Sequence, residues 1–178
     1  RNIRNELVKR GCEVVVVPAT TTAKEVAELH PDGIMLSNGP GDPSENTTII
    51  QNIREIAALQ IPIFGICLGH QLMALANGCR TEKLKYGHRG ANQPVIDLKS
   101  GRTYVTSQNH GYAVVGESIQ PEIGEVSHIN ANDHTCEGIR YKTINAFTVQ
   151  FHPEAHGGPL DTAYLFDEFI AGMEKEKN

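Results

Sequence analysis

Three observations predict an α/β fold: an open, mostly parallel sheet with helices on both faces, and an additional small antiparallel β portion in the second half. Strand-like runs in the first 78 residues are short, β-branched and continuous rather than alternating, the pattern of strands buried on both faces. Helical patterns separate those runs, as in a layered α/β chain. From about Arg80 the texture changes to short strand candidates divided by turn residues.

Each element has its own signal. Residues 1–10 read as a helix with Ile3, Leu7 and Val8 on one face, and Gly11 is a fitting stop. Cys12–Pro18 (CEVVVVP) reads as a buried strand. Thr22 and Glu25 form a capping box, so a short helix follows. Gly33–Ser37 is a second buried strand, and NGPGDP is a loop. Asp42 caps a helix with Pro43 in its first position and Ile49, Ile53, Ile56 and Ala57 as its buried stripe. Ile61–Ile66 is a third buried strand; the helix after Cys67 ends at Asn77-Gly78. RTEKLKY, PVIDL, RTYVTSQ, GYAVV, TCEGIRY and AFTVQF are the later strand candidates, with a hairpin turn at Lys99–Arg102. A helix over roughly Leu160–Met173 closes the fold.

Composition narrows the function classes. A length of 178 residues suits one domain with a large core. The net charge of -5, with no basic run, gives no argument for nucleic acid. The longest apolar runs are far too short to span a bilayer, and no signal peptide is visible. Four cysteines at long separations, with no CxxC pair, point to a reducing cytoplasm. Eight histidines make no HExxH or zinc-finger spacing, so no metal is expected. The first residue is Arg1 rather than Met, so something is expected to precede it.

The stretch FGICLGHQ places Cys67 after a predicted parallel strand and before a helix, between Gly65 and Gly69. Ligands of open α/β sheets bind at the carboxyl ends of strands. G-x-C-x-G is the cysteine counterpart of the nucleophile elbow, whose crowded turn demands glycine. A helix N-terminus favours a thiolate, and the Leu68 N–H would face a developing oxyanion. The plain alternative is a buried structural cysteine, the reading given to Cys12, Cys79 and Cys136.

A thiol nucleophile needs a base, and the base an orienting acceptor. In QFHPEA, His152 and Glu154 stand two apart, which puts them on one side of an extended segment. Alone, H-P-E also fits a strand-end turn. LSNGPGDP could cradle an anion or supply a second oxyanion donor, or be no more than a connection. By physics alone SQNHGYA is a plain loop. His70 and Gln71 either face the site or pack beneath it; His88, His128, His134 and His156 read as surface or loop histidines.

Together LSNGPGDP, GICLGHQ, KYGHRGANQPV, SQNHGYAV and QFHPEAHGGPLD resemble, in order, the class I (triad-type) glutamine amidotransferases, and within them the glutaminase subunits of carbamoyl-phosphate synthetases. GICLGHQ with HPE carries the superfamily; GHRGANQPV and QNHGYAV point to the carbamoyl-phosphate branch. The resemblance runs from Arg1 to about Met173, so residues 1–178 are expected to be one flavodoxin-like amidotransferase domain. It implies hydrolysis of glutamine to glutamate and ammonia through a γ-glutamyl thioester. Cys67 would be the nucleophile, His152 the proton carrier and Glu154 its orienter. Oxyanion donors would be the N–H groups of Leu68 and Gly41. Substrate contacts would come from Gly39, Gly41, Leu68, Gln71, Asn109, Gly111 and Tyr112, the last often Phe in the family. No metal or cofactor is implied in this chain; ATP and Mg would be used by a large synthetase partner subunit.

One departure lies at the start. In the family an N-terminal domain and the first strand of the sheet precede the helix near Arg1, and a serine of that domain helps bind glutamine. The chain is therefore expected to be a fragment, with an unpaired edge or a gap in its sheet, weak glutamine binding and marginal stability. The same triad would also suit amidotransferases of anthranilate, aminodeoxychorismate or GMP synthesis, a non-catalytic docking subunit, or a free-standing γ-glutamyl hydrolase.

Overall fold

The computed structural model describes residues 2–37, 42–155 and 162–177. Its helices are α1 (Asn2–Lys9), α2 (Ala23–Glu28), α3 (Thr47–Ala57), α4 (Leu68–Ala76) and α5 (Tyr164–Lys177). Its strands are β1 (Ile34–Leu36), β2 (Ile63–Ile66), β3 (Thr81–Asp97), β4 (Thr103–Val114), β5 (Gly124–Asn130), β6 (Cys136–Tyr141) and β7 (Ala146–Val149). They form one open sheet in the order β1-β2-β7-β6-β5-β3-β4. β1, β2 and β7 pair in parallel, and the remaining neighbours pair antiparallel. Five of the seven strands (β1, β2, β7, β5 and β4) nonetheless run in one direction, so the expected α/β class holds. The antiparallel portion extends this sheet and does not form a second one.

Alternating side chains of the parallel strands feed two cores, as a period of two requires. Ile63 and Ala146 face a core with Val26, Ile53, Ile56 and Met73 from α2, α3 and α4. Phe64, Ile66, Phe147 and Val149 face the other, with Leu7 of α1 and Leu165, Phe166 and Phe169 of α5. The Phe64 and Phe147 rings stack at 4.5 Å across β2 and β7, a geometry that adds to area burial. Helices therefore cover both faces, as the sequence predicts.

Local signals are realised with specific exceptions. The Thr22–Glu25 capping box forms, and Gly78 ends α4 at φ 85°. Asp42 accepts from the Ser44 N–H, but it caps only a 3-10 turn at Pro43–Glu45; α3 begins after Asn46. On α1, Val8 is exposed, while Glu6 is buried and bound by Arg10 at 2.8 Å. The largest correction concerns Cys12–Pro18, which is not a strand. Val15, Val16 and Val17 are 62%, 79% and 42% exposed. No described strand lies beside the run to take its backbone groups, and β-branched composition alone does not make a ladder. β1 is accordingly the edge of the sheet, and only half-buried.

The later strands are fewer and longer than expected. RTEKLKY and PVIDL belong to one strand, β3, and RTYVTSQ and GYAVV to one strand, β4. SQNHGYA is therefore strand and not loop: Asn109 pairs with Arg89, and the register shifts between β3 and β4 fall at Ser107 and Gly111. The hairpin turn at Lys99–Arg102 is present, with Gly101 at φ 75°. β5 has no counterpart among the sequence candidates. No helix among the described residues is long and apolar enough to cross a membrane.

Candidate active site

β2 and β7 lie side by side and end at the same edge of the sheet. Their carboxyl ends lead into Cys67 and into Gln150–Glu154. Cys67 occupies the single residue between β2 and α4, at φ 56° and ψ −109°, a backbone region that non-glycine residues adopt only when their surroundings force it. Its N–H bonds the Val149 carbonyl at 2.9 Å, and its carbonyl accepts from the Gln71 N–H at 3.2 Å. Packing holds the turn. A Cβ on Gly69 would overlap the Leu36 carbonyl of β1, and one on Gly65 would meet Thr148 Cγ2 at 2.8 Å. The elbow is thus wedged between β1 and β7, which explains both glycines around the cysteine.

His152 hydrogen-bonds Cys67, and its Nδ1 lies 2.9 Å from Glu154 Oε2. With Nδ1 on the carboxylate, Nε2 is the ring nitrogen left for the sulfur. The hydrogen bond with Cys67, followed by that with Glu154, raises the His152 pKa from 6.5 to about 10, against the opposing effect of burial. The residue is anchored further by its own backbone N–H, which donates to the Ser107 carbonyl of β4 at 3.0 Å. Glu154 is buried, and its Oε1 has no hydrogen-bond partner among the described residues. The other cysteines lack such partners. Burial raises the thiol pKa of Cys12 and Cys79 and pushes Cys136 up to about 12.

Leu68 opens α4, where backbone N–H groups have no intrahelical acceptor. Gly39 and Gly41 lie outside the described residues, as does His156. Gln71 sits one turn after Cys67, and its amide hydrogens are committed: Nε2 donates to the Tyr112 carbonyl at 2.8 Å and to Gln150 Oε1 at 2.9 Å. Gln71 and the Tyr112 backbone are thereby brought together. Gly111 and Tyr112 are half-buried, whereas Asn109 is exposed on the face of β4 opposite Gln108 and His110. An open cleft of about 440 Å³ reaches Tyr112 from Asp42, Ser44 and the Leu75–Lys83 stretch. Cys67 is not in its lining, so the triad geometry and not this cleft marks the candidate site.

Sequence reasoning missed Gln150. It is wholly buried, accepts from Gln71, and donates to Cys67 Sγ at 3.7 Å. Its signal was the same two-residue spacing that relates His152 to Glu154. His70 packs beneath the site: Nδ1 lies 2.8 Å from Thr148 Oγ1, and burial lowers its pKa to about 3, so it stays neutral. His88 and His128 correct the surface assignment, being 7% and 2% exposed. His88 is bound to Asp133, and His128 lies against Ser127 and Tyr164. Their strands turn these side chains inward, a direction that a histidine's identity does not disclose. His134 is exposed as expected.

The family model for class I glutamine amidotransferases matches residues 1–171. The carbamoyl phosphate synthase small chain of Fusobacterium nucleatum subsp. nucleatum is 56% identical over 172 residues, 97% of this chain and 48% of that protein. The corresponding small chain of Staphylococcus haemolyticus is 55% identical over 177 residues, 99% of this chain and 48% of that protein. The chain thus spans about half the length of these relatives. Among solved structures, a GMP synthase component from Thermoplasma acidophilum aligns with a TM-score of 0.83 at 22% identity, over 99% of this chain and 88% of that one. A glutamine amidotransferase of Thermotoga maritima aligns with a TM-score of 0.58 at 21% identity, over 93% and 70%. At these identities the likeness is one of fold.

Proposed function

This chain belongs to the class I glutamine amidotransferase family, and from that membership we propose that it hydrolyses glutamine and passes the ammonia to a large synthetase subunit that makes carbamoyl phosphate. The observation that carries the reading is Cys67, held at positive φ on the strand-to-helix turn and hydrogen-bonded to His152, which is in turn fixed by Glu154. The identity of about 55% to carbamoyl phosphate synthase small chains favours this branch over others with the same triad.

In the proposed reaction Cys67 Sγ attacks the side-chain amide carbon of glutamine. A ring as basic as His152 accepts the thiol proton. The tetrahedral oxyanion is stabilised by the Leu68 N–H at the start of α4, with the Gly41 N–H proposed as its second donor. Collapse breaks the C–N bond, and His152 gives its proton to the departing nitrogen, releasing ammonia and leaving a γ-glutamyl thioester. His152 then takes a proton from water, whose oxygen attacks the thioester, and the thiol leaves with the proton returned. Glu154 holds the ring so that one nitrogen always faces sulfur. Gln150, through its N–H to Cys67 and its acceptance from Gln71, ties the nucleophile to the wall formed by β4. Gln71, Asn109, Gly111, Tyr112, Gly39 and Gly41 are the proposed contacts to glutamine. The reaction uses no cofactor in this chain; ATP and Mg belong to the proposed partner, and the assembly is proposed to be cytoplasmic.

The test is synthesis by the assembled complex. Cys67→Ser should abolish glutamine-dependent carbamoyl phosphate formation and leave ammonia-dependent formation intact. Glutamine-dependent synthesis retained in that variant overturns the mechanism, and co-purification with a chorismate enzyme overturns the choice of partner.

A further inference from the structure

A second cluster of reactive side chains, sharing no residue with the triad, lies where the long β3–β4 hairpin meets β6. His88 of β3 and His110 of β4 are register partners, their rings edge to face at 5.0 Å. Glu137 of β6 completes the set, and one ligand atom from each of the three lies within 4.8 Å of the others. All are more than nine-tenths buried, at 7%, 8% and 0% exposure. Among the described residues, His88 Nδ1 and Glu137 Oε1 have no hydrogen-bond partner.

Hydrogen bonding around the cluster is complete on the outside and deficient on the inside. His88 Nε2 contacts Asp133 Oδ2 at 2.7 Å, and His110 Nδ1 contacts the Tyr112 carbonyl at 2.8 Å. Both bonds put a proton on the outer nitrogen and leave a lone pair on the inner one, the arrangement that a carboxylate or carbonyl imposes on metal-binding histidines. Glu137 Oε2 accepts from Gln108 and Asn130, each at 3.0 Å. The inner His110 nitrogen, Nε2, faces Gln108 Oε1 at 2.7 Å. Burial favours the neutral imidazole, which has one proton and has given it to Tyr112, so two lone pairs oppose each other. Rotating the Gln108 amide would turn its oxygen to Glu137 Oε2, which moves the conflict there as long as that carboxylate is ionised; burial raises its pKa to about 7.

We propose that His88 Nδ1, His110 Nε2 and Glu137 form a closed binding site for one divalent metal ion of the zinc class, with Gln108 Oε1 as fourth donor. Two imidazoles and a carboxylate are a set that zinc accepts, at about 2.0–2.2 Å. Tetrahedral bonds of that length place ligand atoms about 3.3–3.6 Å apart; His88 Nδ1 lies 3.5 Å from Glu137 Oε2, and His110 Nε2 and Gln108 Oε1, 2.7 Å apart, would have to part by somewhat under 1 Å. An ion would satisfy the unpartnered atoms and separate the opposed lone pairs. Its role would be structural, clamping the hairpin that carries Tyr112 and Ser107 onto the central sheet. The site is independent of the glutaminase reading, since no triad residue belongs to it.

The test is titration of the chain with Zn²⁺ and Co²⁺, each alone, in a Cys67→Ser background that removes the catalytic thiol. One equivalent should bind, zinc should raise the melting temperature, and cobalt should give four-coordinate visible bands without thiolate-to-metal charge transfer. Asp133→Asn, at an exposed position, should weaken binding about 10–100-fold by loosening His88. Glu137→Gln should abolish it. Failure to bind an equivalent, charge-transfer bands from a cysteine, or affinity unchanged in both variants overturns the site; the cluster would then be a proton-sharing hydrogen-bond network.

Discussion

The two halves of the sheet hold their polar side chains in opposite ways. In the parallel half, β2 and β7 present Cys67 and His152 at their carboxyl ends, where close-packed glycines hold the strained turn and Cys67 and Glu154 raise the histidine pKa. In the antiparallel half, β3, β4 and β6 bury His88, His110 and Glu137 within the fold, where the polar atoms depend on one another. The first arrangement sets a buried thiol and a half-buried histidine at a strand end; the second closes its polar groups inside the fold. The two are joined by hydrogen bonds through Tyr112, Gln71 and Gln150.

Perturbing each half should separate these roles. The largest effect is expected from Cys67→Ala, which should lower glutaminase turnover by at least about 10⁴-fold while the fold persists, checked by ammonia release and circular dichroism. Glu154→Gln should follow, at about 10²–10⁴-fold in kcat, because an amide cannot hold the same ring orientation and charge. A drop confined to KM would assign Glu154 to substrate binding instead.

Effects on stability come next. Gly69→Ala forces a methyl against the Leu36 carbonyl and should cost about 1–3 kcal/mol in denaturant unfolding. Thr148→Val leaves His70 without its partner in a fully buried position and should cost about 1–3 kcal/mol, with glutaminase chemistry altered less than by either triad variant. Equal loss of activity in Thr148→Val would place His70 in the reaction.

The smallest and most diagnostic effect is the pH dependence of stability. The folded His152 pKa of about 10 lies above its ordinary value of 6.5. The folded state therefore binds the proton more tightly, and the resulting stability is fully present below about 6.5 and lost as pH rises through about 10. Cys67→Ala removes the first cause of the shift, so the alkaline loss should be smaller and complete at lower pH, with the same onset near 6.5. Superimposable profiles would mean that the sulfur does not hold the histidine.

Legibility in the sequence follows the same division. The parallel half was readable because its constraints are local: Gly65 and Gly69 flank Cys67, and His152 and Glu154 stand two apart. The capping box and the apolar stripe of α3 are local for the same reason. Val14–Val17 misled because strand formation requires a neighbour to pair with, which composition cannot supply. His88, His110 and Glu137 come from three strands and meet only through sheet register, so each reads singly as an ordinary residue. Gln150 stood in the open beside the histidine, but its role needs Gln71, 79 positions away, to become visible.

The central claim is that Cys67 is the nucleophile for glutamine and that His152 activates it. Treatment of the chain with a diazoketone analogue of glutamine, followed by peptide mass spectrometry, tests it most directly. One adduct on Cys67 is expected, formed much more slowly in His152→Ala, with Cys12, Cys79 and Cys136 unmodified. Labelling of those three at rates comparable to Cys67, or labelling of Cys67 unaffected by loss of His152, would contradict it.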